Sequence, residues 1–322
     1  KQLFCCPHAM CALMGLPHDS CVILALYACS VLFTFFNQGC AQGIPIERQA
    51  ELYSARGFAA PIKVFSPSEA ATLRAIFDRL EAEQPGGRLP AQVHNLHLTN
   101  REVWEWVRHP ALAALTARVA GFAPGALHVM MSTFVTKYPP TTGDTAPPRG
   151  RFGWHQDVLY WDISSNTSLA SWIALDPVSE ATGCVRMVGG QHVGVEYPHT
   201  YLPEADNLLL SKKEVVGFNE SEAVCVELAP GEMSVHDGWT PHGSSPNTTP
   251  QRRTGLVINW MPADATLQPS REGYGRLEDG ALIEEFRKPV DPADDCFPPR
   301  VLQAPPVHDK FRRTTLGMSE SS

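Results

Sequence analysis

Beyond residue 46 the sequence has few cysteines, no long apolar run and no excess of positive charge. Of the nine cysteines, six lie in the first forty residues, and only Cys184, Cys225 and Cys296 follow. The chain of 322 residues carries a formal net charge of −8, which attracts phosphates weakly, so we expect no nucleic-acid partner. The content of 43% hydrophobic residues excludes a disordered chain and a multi-span membrane protein, and favours one large or two small globular domains.

The first 46 residues have almost no charge, because Lys1 and Asp19 are the only formal charges among them. Residues 21–36 are almost continuously apolar. This run is shorter than the roughly 20 residues of a membrane-spanning helix and suits a signal-peptide core, but Asp19 stands where basic residues are expected. We interpret residues 1–46 as an apolar, cysteine-rich extension that is a leader, an anchor or non-native. Membrane contact is expected only if the run is a real anchor.

The three cysteines after residue 46 predict a reducing compartment, because proteins of oxidising compartments are usually richer in disulfides. We therefore expect a cytoplasmic protein, with export or membrane anchoring through residues 20–40 as the alternative. Cys184 and Cys225 stand in apolar segments, and we expect them to be small buried residues without a nucleophilic role.

Residues 47–125 show mainly helical signals. Residues 66–69 read Ser-Pro-Ser-Glu, which combines a hydroxyl N-cap, proline at the first helical position and a glutamate that closes a capping box. Apolar residues then recur at helical spacing until residues 84–87. Residues 100–109 and 110–119 predict two more short helices, the second ended by Gly121.

Residues 126–262 have the character of short strands separated by Gly, Pro, Asn and Asp clusters. The predicted strands are residues 127–137, 171–175, 183–188, 223–228, 231–236 and 253–261. The sequence therefore predicts an α+β fold, in which a sandwich or jelly-roll core follows helices and a tail spans residues 263–322. Residues 47–322 are expected to form a single catalytic domain. Residues 139–150 and 197–218 are predicted to be long loops at the active site.

The run Trp-His-Gln-Asp at residues 154–157 contains the first candidate metal ligands. In a strand, residues two apart face the same side, so His155 and Asp157 would project together. His242, which lies 87 residues after His155 where a strand gives way to a turn, is the favoured third ligand, with His236 as its competitor. Two imidazoles and one carboxylate on one face of a metal suit non-haem Fe(II), which keeps positions open for an organic acid and O2.

Arg253 opens the last predicted strand, eleven residues after His242. A guanidinium there is suited to pair bidentately with the far carboxylate of 2-oxoglutarate. Arg252 is expected to be exposed, because adjacent strand residues face opposite ways.

These motifs resemble the phytanoyl-CoA dioxygenase family of Fe(II)/2-oxoglutarate-dependent oxygenases. The matching segments are residues 154–157, 171–175, 183–192 and 242–253. The resemblance implies a double-stranded β-helix (a jelly roll, cupin-like) preceded and flanked by helices. It also implies iron ligation by His155, Asp157 and His242. The residues implied near the cosubstrate are Arg253, which would meet the C5 carboxylate of 2-oxoglutarate, Ser244, Gln156 and Trp172.

The family resemblance implies oxidation, most simply hydroxylation, of an unactivated C–H bond in a small organic or acyl substrate. O2 and 2-oxoglutarate would be consumed, and succinate and CO2 released. The alternative is a cupin-type metalloenzyme, an isomerase or hydrolase that does not use 2-oxoglutarate and in which Arg253 has no obvious task. A binding module without catalysis is a third class, which the intact set of ligands disfavours.

Four aromatic residues cluster in sequence around the candidate ligands. They are interpreted either as core filling or as an apolar wall that keeps water from the metal and orients substrate: Trp154, Tyr160, Trp161 and Trp239.

Overall fold

The computed structural model describes residues 43–140, 150–161, 163–165, 167–202, 207–209, 212–267 and 288–302, and all structural statements concern these ranges. The α-helices are α1 (Ile46–Arg56), α2 (Pro67–Ala82), α3 (Arg101–Val107) and α4 (Pro110–Ala120). The first strands are β1 (Phe58–Lys63), β2 (Gln92–His94), β3 (Leu127–Lys137), β4 (Phe152–His155), β5 (Leu169–Ala174) and β6 (Val185–Met187). The others are β7 (His199–Tyr201), β8 (Lys213–Val215), β9 (Val224–Val226), β10 (Glu232–Asp237), β11 (His242–Ser244) and β12 (Arg253–Pro262). The fold thus combines helices with antiparallel sheets.

The helix ends follow the capping signals of the sequence. The Ser66 hydroxyl accepts a hydrogen bond from the Glu69 amide, and the Glu69 carboxylate accepts one from the Ser66 amide, which completes the predicted capping box of α2. Asn100 caps α3, and Gly121 ends α4 in the left-handed conformation, with φ of 79°. The predicted helices are therefore confirmed.

Two antiparallel sheets make up most of the β structure. One has six strands in the order β1-β10-β5-β12-β3-β2, and the other has four in the order β4-β11-β6-β9. From β3 onward the chain passes repeatedly between them, because β3, β5, β10 and β12 belong to the six-stranded sheet and β4, β6, β9 and β11 to the other. The strands predicted from the sequence are all present, with ends shifted by two residues at most.

The front section is mainly helical, as predicted, and its two short strands β1 and β2 form the two edges of the six-stranded sheet. Pro61 lies within β1, and an edge strand tolerates a residue that has no N–H to donate. Residues 197–218 are not only a loop, because β7 and β8 pair with each other as a separate two-stranded sheet.

The six-stranded sheet has a core face and a pocket face. On β12, Leu256, Ile258 and Trp260 are fully buried in the core that the sheet shares with residues of the four helices. The intervening Val257 and Asn259 line a pocket on the opposite face, as the alternation of a strand requires. The helices thus support the sheet from behind, and the side chains of the other face are free for chemistry.

Cys184 and Cys225 form a disulfide with a Cα–Cα distance of 5.7 Å, across the paired strands β6 and β9. Cys184 is buried as predicted and Cys225 is partly buried, but the sequence did not predict their bond, and the cysteine argument for a reducing compartment loses its basis. Within the described ranges, none of the helices combines the length and apolarity needed to cross a membrane. The apolar run at residues 21–36 lies outside those ranges, as do most of the predicted loop 139–150 and the tail segments 268–287 and 303–322.

Candidate metal centre

His155, Asp157 and His242 meet at one point between the two ligand-bearing strands of the four-stranded sheet. His155 ends β4, His242 begins β11, and the two residues are direct partners in the antiparallel ladder. The Nε2 atoms of His155 and His242 lie 3.5 Å and 3.7 Å from Oδ1 of Asp157. A ligand atom of each residue lies within 4.8 Å of the others, which is a spacing that one metal ion bridges.

The route by which Asp157 reaches this cluster differs from the strand alternation that the sequence suggested. Strand β4 stops at His155, and Asp157 begins a short 3-10 helix, Asp157–Leu159. The turn folds the carboxylate back towards the imidazole of His155. The convergence of His155 and Asp157 was thus expected for the wrong geometrical reason.

Both imidazoles are oriented by backbone carbonyls. The Nδ1 of His155 lies 2.8 Å from the carbonyl oxygen of Gly153, and that of His242 lies 3.0 Å from that of Thr240. A carbonyl can only accept, so each Nδ1 carries the hydrogen and each Nε2 presents a lone pair. This is the usual arrangement of metal-ligating histidines.

Burial and mutual charge put the three groups in the protonation states that metal ligands need. Burial alone would raise the pKa of Asp157, but the neighbouring His242, His236 and His155 outweigh it and hold that pKa well below its usual range. Burial lowers the pKa of His155, and burial together with His155 lowers that of His242. The cluster therefore offers one carboxylate and two neutral imidazoles at neutral pH.

His236, the alternative third ligand, lies beside the cluster rather than in it. Its Nε2 is 3.5 Å from Oδ2 of Asp157, the oxygen that faces away from His155 and His242. Its ring centroid is 4.5 Å from that of His242. Among the described residues, the group with metal-ligand spacing at this point contains His242 and not His236.

The cluster opens into a pocket between the two sheets. At one end lie Arg253, Ser244 and Trp172, three of the four residues expected near a cosubstrate. The guanidinium carbon of Arg253 stands 5.1 Å from the centre of the Trp172 ring, and the guanidinium donates to the carbonyl oxygen of Gly183. Three of the four residues expected near the cosubstrate therefore lie together, and Gln156 lies elsewhere.

Lys137 contacts Ser244 at this end of the pocket and was missed from the sequence. It is 2% exposed, and its Nζ donates to the Ser244 hydroxyl at 2.6 Å and to the carbonyl oxygen of Ser245. It pairs in register with Arg253 across β3 and β12. The only sequence signal was a lysine at the end of an otherwise uncharged strand. The role of this lysine depends on which strand pairs with β3.

Arg253 and Lys137 form a buried pair of cations without an internal counter-charge. No ion pair to a carboxylate joins either residue within the described ranges, and Nε of Arg253 has no hydrogen-bond partner there. Burial lowers the pKa of Arg253 to about 9, and burial together with Arg253 lowers the pKa of Lys137 well below its ordinary value. Buried charges require pairing, so this end of the pocket is built to receive an anion.

Gln156 does not reach the pocket. Its side-chain amide donates to the carbonyl oxygens of Val195 at 2.7 Å and Trp239 at 2.6 Å, and its Oε1 accepts from the Tyr197 amide at 3.0 Å. Gln156 thus ties the loop at residues 195–197 to the turn that precedes His242.

The four clustered aromatic residues divide between the two interpretations. Tyr160 and Trp161 line the pocket beside Met131 and Leu209, and form an apolar wall near the metal cluster. Trp154 instead packs against Phe218, with ring centroids 4.9 Å apart. Trp239 packs against Val158 and Leu159, the apolar residues of the short 3-10 helix that begins at Asp157.

Comparisons with known proteins agree with this site. The family model described as phytanoyl-CoA dioxygenase (PhyH) matches residues 53–255. A probable alpha-ketoglutarate-dependent hypophosphite dioxygenase of Stutzerimonas stutzeri is 29% identical over 149 residues, 45% of this chain and 51% of that protein. A probable phytanoyl-CoA dioxygenase of Caenorhabditis elegans is 24% identical over 173 residues, 53% of this chain and 54% of that protein. The chain thus spans about half the length of these curated relatives.

A solved structure resembles the fold over a larger part of the chain. EvdO2 from Micromonospora carbonacea var. aurantiaca, in complex with 2-oxoglutarate, superposes with a TM-score of 0.57. It is 26% identical, and the match covers 72% of this chain and 96% of that one.

Proposed function

Because the chain belongs to the phytanoyl-CoA dioxygenase family, we propose that it is an Fe(II)/2-oxoglutarate-dependent dioxygenase acting on a small organic or acyl substrate. The reaction would be R–H + O2 + 2-oxoglutarate → R–OH + succinate + CO2. One oxygen atom would enter the product and the other the succinate, so the equation balances. Residues 47–322 are proposed to form the catalytic domain.

The proposed architecture is the double-stranded β-helix. The passage of the chain between two antiparallel sheets, with four strands from each, supports it. The pairing of β4 with β11 places the two histidine ligands on neighbouring strands at the mouth of the pocket. A core of this kind holds metal ligands on rigid elements rather than on loops.

One observation carries the proposal: a His-Asp-His cluster and the buried guanidinium of Arg253 line a single pocket, and the buried Lys137 contacts Ser244 of the same pocket. The three ligand atoms fit an iron that keeps coordination positions open. The cations fit a dicarboxylate whose one end chelates the metal and whose other end meets Arg253 and Lys137. A cupin-type isomerase or hydrolase would have no use for this pair of cations.

Each part of the pocket has a separate task in the proposed reaction. Fe(II) and 2-oxoglutarate together activate O2 and supply the oxidant that removes hydrogen from an unactivated C–H bond. The carbonyl oxygens of Gly153 and Thr240 orient the ligating imidazoles. Arg253, Lys137 and Ser244 hold the far carboxylate, and Trp172 covers the Arg253 guanidinium. The apolar wall at Tyr160 and Trp161 excludes water and positions the substrate.

Succinate formation tests the proposal. The purified chain is incubated aerobically with Fe(II), ascorbate and 2-oxoglutarate, with and without a panel of candidate substrates, and succinate is quantified. We expect 2-oxoglutarate-dependent succinate that disappears without Fe(II) and in Asp157→Ala. If no succinate forms with any substrate or without one, while the chain is folded and binds Fe(II), a 2-oxoglutarate-independent metalloenzyme is favoured.

A further inference from the structure

The outer carboxylate oxygen of Asp157 lies between two polar side chains of the six-stranded sheet. Oδ2 is 3.4 Å from Nδ2 of Asn259 on β12, which donates to it, and 3.5 Å from Nε2 of His236 on β10. The other oxygen, Oδ1, faces the Nε2 atoms of His155 and His242. The two oxygens of one carboxylate thus have different surroundings.

Strand register explains how two residues on non-adjacent strands reach the same oxygen. Strand β5 lies between β10 and β12, and its residue Ala170 pairs with His236 on one side and with Asn259 on the other. The three residues form one row across the sheet. Ala170 has a small side chain, and Oδ2 of Asp157 lies 3.4 Å from Asn259 and 3.5 Å from His236, the two residues that flank it in this row.

The His236 imidazole is buried and makes no other hydrogen bond among the described residues. His236 is 2% exposed, and neither of its ring nitrogens has a hydrogen-bond partner of good geometry within the described ranges. Buried polar groups normally have partners, and the nearest acceptor to Nε2 that the structure shows is Oδ2 of Asp157. Asn259 is 4% exposed, and its amide is directed at the same oxygen.

We propose that His236 and Asn259 are positioning residues that clamp Oδ2 of Asp157, so that this carboxylate binds iron through Oδ1 alone. The proposal rests on the proposed function. A chelating carboxylate would occupy an additional coordination position, whereas 2-oxoglutarate and O2 together need three. With the hydrogen on Nε2, the His236 imidazole donates to Oδ2 and so keeps this oxygen away from the metal.

Metal affinity, measured in the whole chain, tests the clamp without reliance on turnover. Mn(II) replaces Fe(II), and the free ion is quantified by its electron paramagnetic resonance signal. His236→Leu and Asn259→Leu remove the donors and keep apolar bulk, and each is expected to raise the Mn(II) dissociation constant by about 10- to 100-fold, as losses of outer partners usually do. His236→Gln supplies an amide donor and is expected to restore most of the affinity.

A second measurement separates a clamp from a merely structural role. At saturating Mn(II), calorimetric titration of 2-oxoglutarate is expected to show weaker binding in His236→Leu, because the released Oδ2 competes for a coordination position. Thr133→Val is the control, since Thr133 lines the same pocket but contacts His94 rather than the cluster. Its Mn(II) affinity should equal that of the wild type.

The outcomes distinguish the two proposals. Wild-type affinity for Mn(II) and 2-oxoglutarate in His236→Leu, or in Asn259→Leu if the first variant does not fold, overturns the clamp and leaves the proposed function intact. Equal losses in His236→Leu and His236→Gln also overturn it, because donation would then be irrelevant. Failure of the wild type to bind Mn(II), Co(II) and Fe(II) overturns the proposed function and the clamp with it.

Discussion

Arg253 and Lys137 are directly paired on β12 and β3, and both side chains are buried, Arg253 in the lining of the pocket and Lys137 against its Ser244. Ser244 lies within hydrogen-bond distance of the Lys137 Nζ. Two like charges buried on paired residues are costly without a counter-ion. A dianion that reaches from the metal to this end of the pocket removes that cost, which links the position of the cations to the choice of cosubstrate.

Substitution of either cation should raise the requirement for 2-oxoglutarate. Arg253→Lys keeps the charge but loses bidentate geometry, and Lys137→Met loses the charge. We expect the KM for 2-oxoglutarate to rise by about 10- to 100-fold in each variant, as for the loss of about 1.5–3 kcal/mol from a charged hydrogen bond. Succinate formation at varied 2-oxoglutarate measures the change.

The neighbouring arginine provides the matched control for Arg253. Arg252 faces the opposite way, where it pairs with Asp78 and Glu81 of α2. Arg252→Lys should weaken that ion-pair network and leave the KM for 2-oxoglutarate unchanged. An equal rise of KM in the Arg252 and Arg253 variants would contradict the assignment.

The identity of the third metal ligand is tested by three alanine variants. His242→Ala and Asp157→Ala should each abolish succinate formation and measurable Mn(II) binding, because each removes a ligand of the cluster. His236→Ala should retain weakened metal binding. If His236→Ala abolishes binding while His242→Ala retains it, the ligand assignment is reversed.

Removal of the Cys184–Cys225 disulfide should lower the free energy of unfolding by about 4 kcal/mol, as expected from the loop entropy of a 41-residue separation. Urea unfolding of Cys184→Ala/Cys225→Ala measures the loss. Cys296→Ala is the control, since Cys296 is exposed and unpaired. Alkylation of both thiols in the native chain without a reductant would show that the disulfide is absent.

His97 should make the fold less stable in mild acid. It is fully buried against Ser132, and burial lowers its pKa to about 4 from its ordinary value of 6.5. Between these values the unfolded chain binds a proton that the folded chain does not, so the free energy of unfolding falls as the pH drops. Replacing His97 with Gln should reduce the loss of stability between pH 7 and pH 5 by about 1–2 kcal/mol. Urea titrations at both pH values test this, and an unchanged pH dependence would contradict it.

Gln156 should act on stability rather than on cosubstrate binding. Gln156→Ala removes three hydrogen bonds to buried backbone groups, and we expect the free energy of unfolding to fall by about 1–3 kcal/mol. The KM for 2-oxoglutarate should stay at the wild-type value. A raised KM for 2-oxoglutarate with unchanged stability would instead support a contact between Gln156 and the cosubstrate, as the family resemblance implies.

The parts of the site that the sequence predicted are those encoded by local spacing. His155 and Asp157 are two residues apart, and a strand or a tight turn brings both to the same side. Arg252 and Arg253 have opposite orientations, as strand alternation predicts, but the expectation that Arg252 is exposed was wrong, because its side chain is 14% exposed and pairs with Asp78 and Glu81. Capping residues predicted the helix starts for the same reason, because a cap is a local hydrogen bond.

The parts that the sequence did not predict depend on pairing between distant segments. Lys137 gains its role only through its register with Arg253, and His236 only through the row that it shares with Ala170 and Asn259. Cys184 and Cys225 are 41 residues apart in apolar strands, where a free thiol and a half-cystine look alike in sequence. Such relationships become visible when the strand order is known.

The most direct test of the account is an anaerobic titration of 2-oxoglutarate into the Fe(II)-loaded chain, monitored by visible absorption. We expect a metal-to-ligand charge-transfer band that saturates at one equivalent of 2-oxoglutarate, weakens in titrations of Arg253→Lys and is absent from Asp157→Ala. The account is contradicted if Fe(II) binds and 2-oxoglutarate produces no band, or if the band is the same in all three proteins.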